Sequence, residues 1–226
     1  MKIKVCGMRD AENIRQVRQL GADYIGLIFW PQSPRYVSMV PTHAGLLPDR
    51  ASLETVGPTV GVFVDDMPQN IITRVVNYRL GVVQLHGHET PTMIRNLRAT
   101  LADISPDTRF WKAVSVQQAG DVNGWHEYAD CVDALLFDTR CPSVGGSGQQ
   151  FDWSVLDAYD GPLPFWLSGG IGPDDAVRVS AFVAAHPLCV GVDLNSRFET
   201  APGQKDVELL RRFMHELLNS STPQLL

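Results

Sequence analysis

Short apolar runs recur along the chain at nearly constant intervals. Eight of them are dense in Val, Ile, Leu and Phe and are bounded by turn residues: IKVCG near residue 2, YIGLIF near 24, TVGVFV near 59, VVQLHG near 82, FWKAV near 110, DALLFD near 133, PFWLSGG near 164 and CVGVDL near 189. Continuous apolar runs without polar alternation are typical of parallel strands that are covered on both faces. The pattern therefore predicts eight parallel strands.

The segments between these runs have helical spacing. Two apolar stripes illustrate it: Ile14, Val17 and Leu20 in AENIRQVRQL, and Ile71, Val75 and Val76 in PQNIITRVVNYRL. Asp10 is placed to cap the first helix, because a side-chain oxygen at that position accepts from an unpaired backbone N–H. Pro68, Pro91 and Pro173 stand where helices begin, and the missing N–H of proline does no harm there.

Eight strand-helix units of about 28 residues describe a single-domain (β/α)₈ TIM barrel, an α/β fold, over residues 1–226. The same alternation permits an open doubly wound sheet. No G-x-G-x-x-G follows the first strand, so the usual dinucleotide-binding fingerprint of that fold is missing. We therefore predict the closed barrel and no domain boundary.

Composition and charge narrow the classes of partner. The formal net charge of −6 is the wrong sign for binding a phosphate backbone, so nucleic acid is not expected. No apolar run approaches the ~20 residues of a membrane helix, and MKIKVCG lacks the apolar region of a secretory signal, so we expect no membrane contact and a cytoplasmic location. The four cysteines form no C-x-x-C pair, so neither disulfides nor a structural zinc are expected.

In a barrel of this kind the active site lies at the carboxyl ends of the strands. The polar residues predicted at those ends are Cys6, Ser33, Arg35, Asp65, His86, Asp138, the segment 168–170 and the segment 193–196. A cysteine at a strand end is either a small inert core residue or a base or nucleophile that faces a pocket. A strand-end histidine such as His86 either bonds to a neighbouring loop or transfers protons, and we favour a positioning role.

Gly169 and Gly170 follow the seventh strand, and Asn195 and Ser196 follow the eighth. A glycine pair at a strand end is by itself more often a tight turn than a ligand site. The loops after strands seven and eight of a barrel often form a phosphate site, however, because their backbone N–H groups are exposed. At these two strands together we predict phosphate binding.

Two further side chains have alternative interpretations. The guanidinium of Arg35, in a loop stiffened by proline, is either solvated or held over the barrel mouth to bind a carboxylate. Asp138 follows three apolar residues, so we expect burial to raise its pKa and keep it protonated as an acid. The loop after Asp138 is long and contains GGSG, which is typical of a flexible cover over a site.

The ordered motifs KVCGMR, GADYIGLIF with SPRYVS, GVFVD, VVQLHGHE, LLFDT with GGSGQQFDW, LSGGI, and GVDLNSRFE with PGQKD extend from end to end of the chain. In these motifs and in their order, the chain resembles the phosphoribosylanthranilate isomerase family of tryptophan biosynthesis. The eighth-strand segment departs from the pattern, because many members carry a second serine and a glycine where this chain has Asn195 and Arg197. The departure falls on the residues that the resemblance assigns to phosphate binding.

The resemblance implies a small-molecule phosphorylated substrate and an Amadori rearrangement. In it, N-(5-phosphoribosyl)anthranilate becomes 1-(2-carboxyphenylamino)-1-deoxyribulose 5-phosphate, with no cofactor and no metal. Asp138 resembles the general acid that protonates the furanose oxygen, and Cys6 the general base that removes the C2 proton. Arg35 matches the position that holds the anthranilate carboxylate. His86, Gly169, Gly170, Asp193, Asn195 and Ser196 complete the expected substrate-binding set.

The resemblance and the residues together predict the pH dependence of the reaction. The rate should fall at alkaline pH as Asp138 loses its proton, and at acid pH as the Cys6 thiolate gains one. An ordinary thiol is only slightly ionised at neutral pH, so Cys6 requires positive charge or N–H donors nearby.

Two other functions fit the fold. The related aminoaldose isomerase of histidine biosynthesis resembles a barrel with an aspartate on both the first and the fifth strand, but the first strand here ends in Cys6. A barrel that has lost catalysis and only binds ligands would lack the acid or the base. Both residues are present in this chain, so we expect an active enzyme.

Overall fold

The computed structural model describes residues 1–38, 57–139 and 150–220. Its eight parallel strands pair in sequence order, and the eighth pairs with the first to close a barrel. The strands are β1 (Lys2–Val5), β2 (Tyr24–Ile28), β3 (Thr59–Phe63), β4 (Leu80–Leu85), β5 (Arg109–Val116), β6 (Ala134–Thr139), β7 (Phe165–Leu167) and β8 (Cys189–Leu194). Each coincides with one of the eight predicted apolar runs, so the predicted fold is confirmed.

The helices cover the outside of the barrel. They are α1 (Ala11–Gln19), α2 (Pro68–Tyr78), α3 (Pro91–Ala102), α4 (Ala176–Ala185) and α5 (Val207–Ser220). Asp10 caps α1 as predicted, since its carboxylate accepts from the backbone N–H of Asn13 at 2.8 Å. Pro68 and Pro91 are the first residues of α2 and α3.

Three details of the helix prediction are wrong. The 3₁₀ segments Ala119–Glu127 and Trp153–Ala158 stand in place of α-helices after β5 and β6, and the first contains two glycines, which weaken a helix. Pro173 begins a short 3₁₀ turn, and α4 starts only at Ala176. Val76 is 53% exposed, whereas Tyr78 is buried, because the inner face of α2 follows positions 71, 75 and 78.

The lower part of the barrel interior is filled by aromatic side chains. Tyr24 of β2 packs with its ring centroid 5.2 Å from those of both Trp111 and Trp166, and the two tryptophans are 4.7 Å apart. These rings belong to an inner cluster of buried side chains that also includes Cys6, while a larger apolar cluster lies between strands and helices. The barrel interior is therefore a packed core rather than an open channel.

A two-stranded antiparallel hairpin follows the barrel before α5 begins. It consists of β9 (Glu199–Ala201) and β10 (Gln204–Lys205). The side chain of Asn13 on α1 anchors it, because its Nδ2 donates to the Lys205 carbonyl at 3.0 Å and its Oδ1 accepts from the Lys205 N–H at 2.8 Å. The hairpin is thereby fixed beside the carboxyl end of β1.

The predicted glycine-rich cover at 140–149 lies outside the described residues. In the part of the chain that is described, no helix is both long enough and apolar enough to cross a membrane. Cys6, Cys131 and Cys189 are buried free thiols.

Candidate active site

Cys6 lies at the top of β1 and is 4% exposed. A Cβ added to Gly26 of β2 would lie 2.7 Å from its Sγ, so the glycine makes room for the thiol. The backbone N–H of Cys6 donates to the carbonyl of Leu194 at 2.8 Å, which ties it to β8. The cysteine is thus held between β2 and β8 at the barrel rim.

A buried ion pair lies one layer below Cys6. Lys4 and Asp193 are neighbours in the register of β1 and β8, and Nζ of Lys4 lies 2.7 Å from Oδ2 of Asp193. Burial opposes the charge on Lys4, but Asp193 and Cys6 together outweigh it and raise the pKa of Lys4. Burial also raises the pKa of Asp193 despite the ammonium of Lys4. The predicted substrate ligand Asp193 is therefore paired with Lys4 inside the barrel.

A second buried lysine lies near Cys6. Nζ of Lys205 is 2.8 Å from Oδ1 of Asn195 and 2.6 Å from Oε1 of Glu199. Burial lowers its pKa to about 8 although Glu199 favours the charged form. Asn195, predicted to bind substrate, uses its side-chain oxygen to hold this lysine.

The charges around Cys6 do not produce a resting thiolate. Burial raises the pKa of the Cys6 thiol, and this effect outweighs Lys4 and Lys205, which lower it; Asp193 also raises it. The positive charges that the sequence reasoning required are therefore present, but they do not offset the loss of water. In the free site Cys6 is a thiol.

Arg35 is 6% exposed and is fixed by a fork of hydrogen bonds to Glu199. Its Nε lies 2.9 Å from Oε1 and its Nη2 2.7 Å from Oε2 of that carboxylate. A Cβ on Gly7, whose φ is +74°, would lie 2.5 Å from Cδ of Arg35 and 2.6 Å from Oδ1 of Asn195. Arg35 therefore packs directly against the residue after Cys6, and its Nη1 has no acceptor within the described ranges.

Asp138 lies near the end of β6 and accepts hydrogen bonds from three residues. Nε2 of His86 is 3.1 Å from Oδ2, and Ser168 Oγ and the Thr139 backbone N–H are 3.2 and 3.0 Å from Oδ1. Burial favours the protonated acid, but these donors outweigh it and lower the pKa of Asp138. The expectation that burial raises this pKa is wrong, because the sequence reasoning did not include the donors from other strands.

The acid and base candidates belong to one electrostatic network. The pKa of Asp193 is raised mainly by burial, but it also responds to the charges of Asp138 and His86. Asp193 in turn acts on Cys6 through space. The barrel therefore brings residues from β1, β4, β6 and β8 to one rim.

The loops after β7 and β8 meet beside this network. Gly169 and Gly170 have φ of +88° and +66°, and a Cβ on Gly169 would lie 2.2 Å from Oγ1 of Thr139 and 3.1 Å from Oδ1 of Asp138. Arg197 donates from Nη1 to the carbonyl of Gly170 at 3.1 Å. The N–H groups of Gly169 and Gly170 have no acceptor among the residues that the structure describes, so they are available to an anion, with one guanidinium next to them.

Two predicted strand-end residues lie apart from the network. Oγ of Ser33 accepts from the backbone N–H of Arg35 at 3.1 Å and so shapes the arginine loop. Asp65, with φ of 49°, pairs with the exposed ring of His88 at 3.0 Å. Neither contacts Cys6 or Asp138.

Sequence reasoning missed four polar residues of the site, namely Lys4, Gln84, Glu199 and Lys205, whereas Ser168 belongs to the predicted strand-end segment 168–170. Lys4 and Gln84 precede Cys6 and His86 by two positions, and side chains two positions apart on a strand face the same side. Such an inward-facing polar residue inside an apolar run is a signal that could have identified both. Glu199 and Lys205 carry no comparable signal, because the hairpin places them only after folding.

Comparisons with known proteins give a consistent result. The model of the family described as N-(5'-phosphoribosyl)anthranilate (PRA) isomerase matches residues 3–216. A curated N-(5'-phosphoribosyl)anthranilate isomerase of Phocaeicola vulgatus is 42% identical over 217 residues, which cover 96% of this chain and 98% of the relative.

Solved structures agree in fold. The phosphoribosyl anthranilate isomerase of Thermus thermophilus is similar at a TM-score of 0.76 and 28% identity, with 97% of this chain and 99% of that chain covered. A second similar structure, at a TM-score of 0.73 and 28% identity with the same coverage, is a phosphoribosyl anthranilate isomerase in complex with reduced 1-(o-carboxyphenylamino)-1-deoxyribulose 5-phosphate. That protein binds a phosphorylated product analogue at this fold.

Proposed function

The chain belongs to the N-(5'-phosphoribosyl)anthranilate isomerase family and catalyses an aldose-to-ketose isomerisation of tryptophan biosynthesis, and we propose that Asp138 is its general acid and Cys6 its general base. The observation that carries the proposal is that the barrel brings the Asp138–His86 pair and the Cys6–Lys4–Asp193 group to one rim.

Asp138 begins the reaction by protonating the furanose ring oxygen, and the ring opens to a Schiff base. A carboxyl group in this role must be held in one orientation, since a small displacement of a reacting group costs much of the rate. Its contacts with His86, Ser168 and Thr139 supply that orientation. Because its side chain is 18% exposed, a substrate can reach it.

Cys6 completes the reaction by removing the proton from C2, and the resulting enolamine tautomerises to the ketone. Asp138 gives up one proton and Cys6 takes one up, so the chemistry ends with a thiol and a carboxylate. This is also the protonation state that the pKa directions favour in the free site. Before each turnover one proton must therefore return to Asp138 and Cys6 must ionise. Lys4 and Lys205 stabilise the thiolate when it forms.

The two charged ends of the substrate have separate places at the rim. We assign the anthranilate carboxylate to the guanidinium of Arg35, which Glu199 aims beside Cys6. We assign the phosphate to the glycine pair and to the start of the short 3₁₀ turn Ser196–Phe198, where backbone N–H groups suit an anion and Arg197 adds a charge. Site residues, rather than the net charge of −6, then determine binding of the anion.

The test is a pair of conservative substitutions, each with a matched control. Cys6→Ser and Asp138→Asn should each lower kcat/KM by ~10²- to 10⁴-fold while product binding measured by calorimetry is retained, since each removes one proton transfer and little volume. Cys189→Ser changes another buried cysteine at the opposite end of the barrel, and Asp157→Asn changes the carboxylate of another His–Asp pair. Both controls should keep wild-type kcat/KM.

Activity is followed as loss of the anthranilate-type fluorescence of the substrate. If either site variant kept more than about a tenth of the wild-type kcat/KM, the residue it replaces would not be the acid or the base, because a positioned proton-transfer group contributes more than that.

A further inference from the structure

Gln84 lies in the barrel interior on β4, two positions before His86 and on the same side of the chain. It is 1% exposed. Its Nε2 lies 3.0 Å from Nδ1 of His86, while its Oε1 is buried and has no hydrogen-bond partner in the described part of the chain. A buried amide oxygen without a donor is costly. Among the described residues, the amide of Gln84 therefore has its one hydrogen bond with His86.

The contact with Gln84 specifies which nitrogen of His86 carries the proton. In the orientation that the amide adopts, its nitrogen donates to Nδ1, and a neutral ring then carries its proton on Nε2. That N–H points at Oδ2 of Asp138, 3.1 Å away. In this arrangement His86 is a donor to a carboxylate, which is the ionised form of Asp138.

The arrangement does not suit the acid form of Asp138. A proton on Oδ2 would face the proton on Nε2 of His86, and the two groups would both be donors. The conflict ends if the ring proton is on Nδ1, because Nε2 then accepts from the carboxyl group. An N–H at Nδ1 needs an acceptor in turn. Rotating the Gln84 amide by 180° places its unpartnered Oε1 at that position.

We propose that Gln84 is a positioning residue whose amide rotation lets His86 change from donor to acceptor when Asp138 takes up the proton that it delivers to the substrate. The inference rests on the function proposed above for Asp138. Only N–H and O–H bonds change: Oδ2 of Asp138 and Nδ1 of His86 each gain a proton from solvent, and Nε2 releases one to solvent, so the pair takes up one proton in all. The ring of His86 is 16% exposed, so its protons can exchange with water.

Apart from Asp138, which loses its charge when it is protonated, the charged groups around His86 do not change between the two states. Asp138 on β6 contacts Nε2, and Asp193 on β8 lies within electrostatic range. The buried pair of Glu89 and Lys112 holds the backbone at Gly87, the residue after His86, through bonds of 2.7 to 3.1 Å. Among the described residues Gln84 alone contacts Nδ1, so the position of the ring proton depends on this amide.

The direct test is the ¹⁵N spectrum of the His86 ring in substrate-free enzyme. In wild type we expect a protonated Nε2 and an unprotonated Nδ1 at alkaline pH. The carboxylate introduced by Gln84→Glu accepts from Nδ1–H, so both nitrogens should carry protons at a pH at which wild type carries only the Nε2 proton. If Gln84→Glu left the His86 signals and their titration as in wild type, the proposal would be overturned.

A kinetic test uses Gln84→Met, which has a similar length but cannot bond to Nδ1 in either state. In the acid form of the Asp138–His86 pair, the N–H at Nδ1 of His86 then has no acceptor. We therefore expect kcat to fall by roughly 3- to 10-fold, the effect of one neutral hydrogen bond, and KM to change less. Val83→Ala is the control, since Val83 is the neighbouring buried residue on β4 but packs in the outer cluster. It should lower the melting temperature without changing kcat or the His86 spectrum. Equal kcat values in Gln84→Met and Val83→Ala would contradict the proposal.

The two readouts separate this inference from the assignment of the acid. If Asp138→Asn were fully active, the proposed acid would be wrong, and the amide rotation would have no part in proton delivery to the substrate. The spectrum of Gln84→Glu would still report whether Gln84 controls the protons of His86, because that measurement needs neither substrate nor turnover.

Discussion

We propose that recognition of the aromatic carboxylate depends on Arg35. Nε and Nη2 of Arg35 donate to the carboxylate of Glu199, so the guanidinium is held in one plane. The ion pair thereby also orients the opposite edge of the guanidinium. Lysine cannot reproduce this geometry, because its ammonium is a point charge without a fork. The orientation of Arg35 therefore comes from a carboxylate 164 positions away in the sequence.

We predict that both Arg35→Ala and Arg35→Lys raise KM by roughly 10- to 100-fold, the range expected for loss of a charge-assisted hydrogen bond, with a smaller effect on kcat. Steady-state kinetics at saturating and limiting substrate measure the two effects separately. Arg9→Ala is the control, since Arg9 is an exposed cation beside the same loop and donates to the carbonyl of Pro34. A loss confined to kcat would instead place Arg35 in the chemical step.

At the scale of elements, β5, β6 and α3 are joined by one carboxylate. Asp133, just before β6, accepts from the Phe110 N–H at 2.7 Å and from both terminal nitrogens of Arg98 on α3 at 2.6 and 2.9 Å. Burial alone would raise the pKa of Asp133, but these donors lower it. The strand that carries Asp138 is therefore fixed at its amino end by a contact to a helix.

Asp133→Asn should lower the free energy of unfolding by about 1.5–3 kcal/mol, because hydrogen bonds to a charged group are lost at a partly buried site. Urea denaturation followed by circular dichroism measures it. Asp130→Asn breaks the neighbouring pair with Arg95, which has the same spacing but lies at the surface, and it should change the stability little. Equal losses in the two variants would show that the contact of Asp133 with the β5 backbone contributes nothing.

At the scale of the whole molecule, we propose that the charge network of Cys6 and Asp138 determines the pH dependence of the reaction. The pKa of Cys6 is raised from its ordinary value of 9.0, and that of Asp138 is lowered from 3.8. Between these two pH values Cys6 and Asp138 together hold one proton, which resides mainly on Cys6. The active form carries that proton on Asp138, and it is a small fraction of the enzyme that stays constant with pH. The limbs predicted from sequence are therefore exchanged between the two residues.

We predict that kcat/KM is flat from pH 3.8 to about 8 wherever the fold persists, because Lys205, whose pKa is about 8, then begins to lose the charge that stabilises the thiolate. Below this range a second proton enters on Asp138 while Cys6 is still a thiol. Above it Lys205 becomes neutral, and above pH 9.0 the thiol ionises and no acid proton is left. The profile of kcat/KM, with circular dichroism at each pH, tests this. A narrow bell centred near neutral pH would contradict the exchange of limbs.

The sequence by itself determined the architecture. Eight dense apolar runs with polar helical stretches between them fit a closed parallel barrel, because buried strands must be apolar on both faces. It also determined that Cys6, His86 and Asp138 meet at one rim, since parallel strands place their carboxyl ends together. The sequence did not determine whether connections such as 119–127 are α-helical or 3₁₀, because small differences in local structure decide between the two.

Only the tertiary structure decided the protonation states and partners of those residues. Lys4 and Asp193 are 189 positions apart in the chain, and Ser168 is 30 positions from the Asp138 that it contacts. A pKa is a balance between desolvation and such donors. Burial can be inferred from an apolar run, and this led to the expectation of a raised pKa at Asp138. The donors that reverse the sign of the pKa shift come from other strands and reach Asp138 only when the barrel closes.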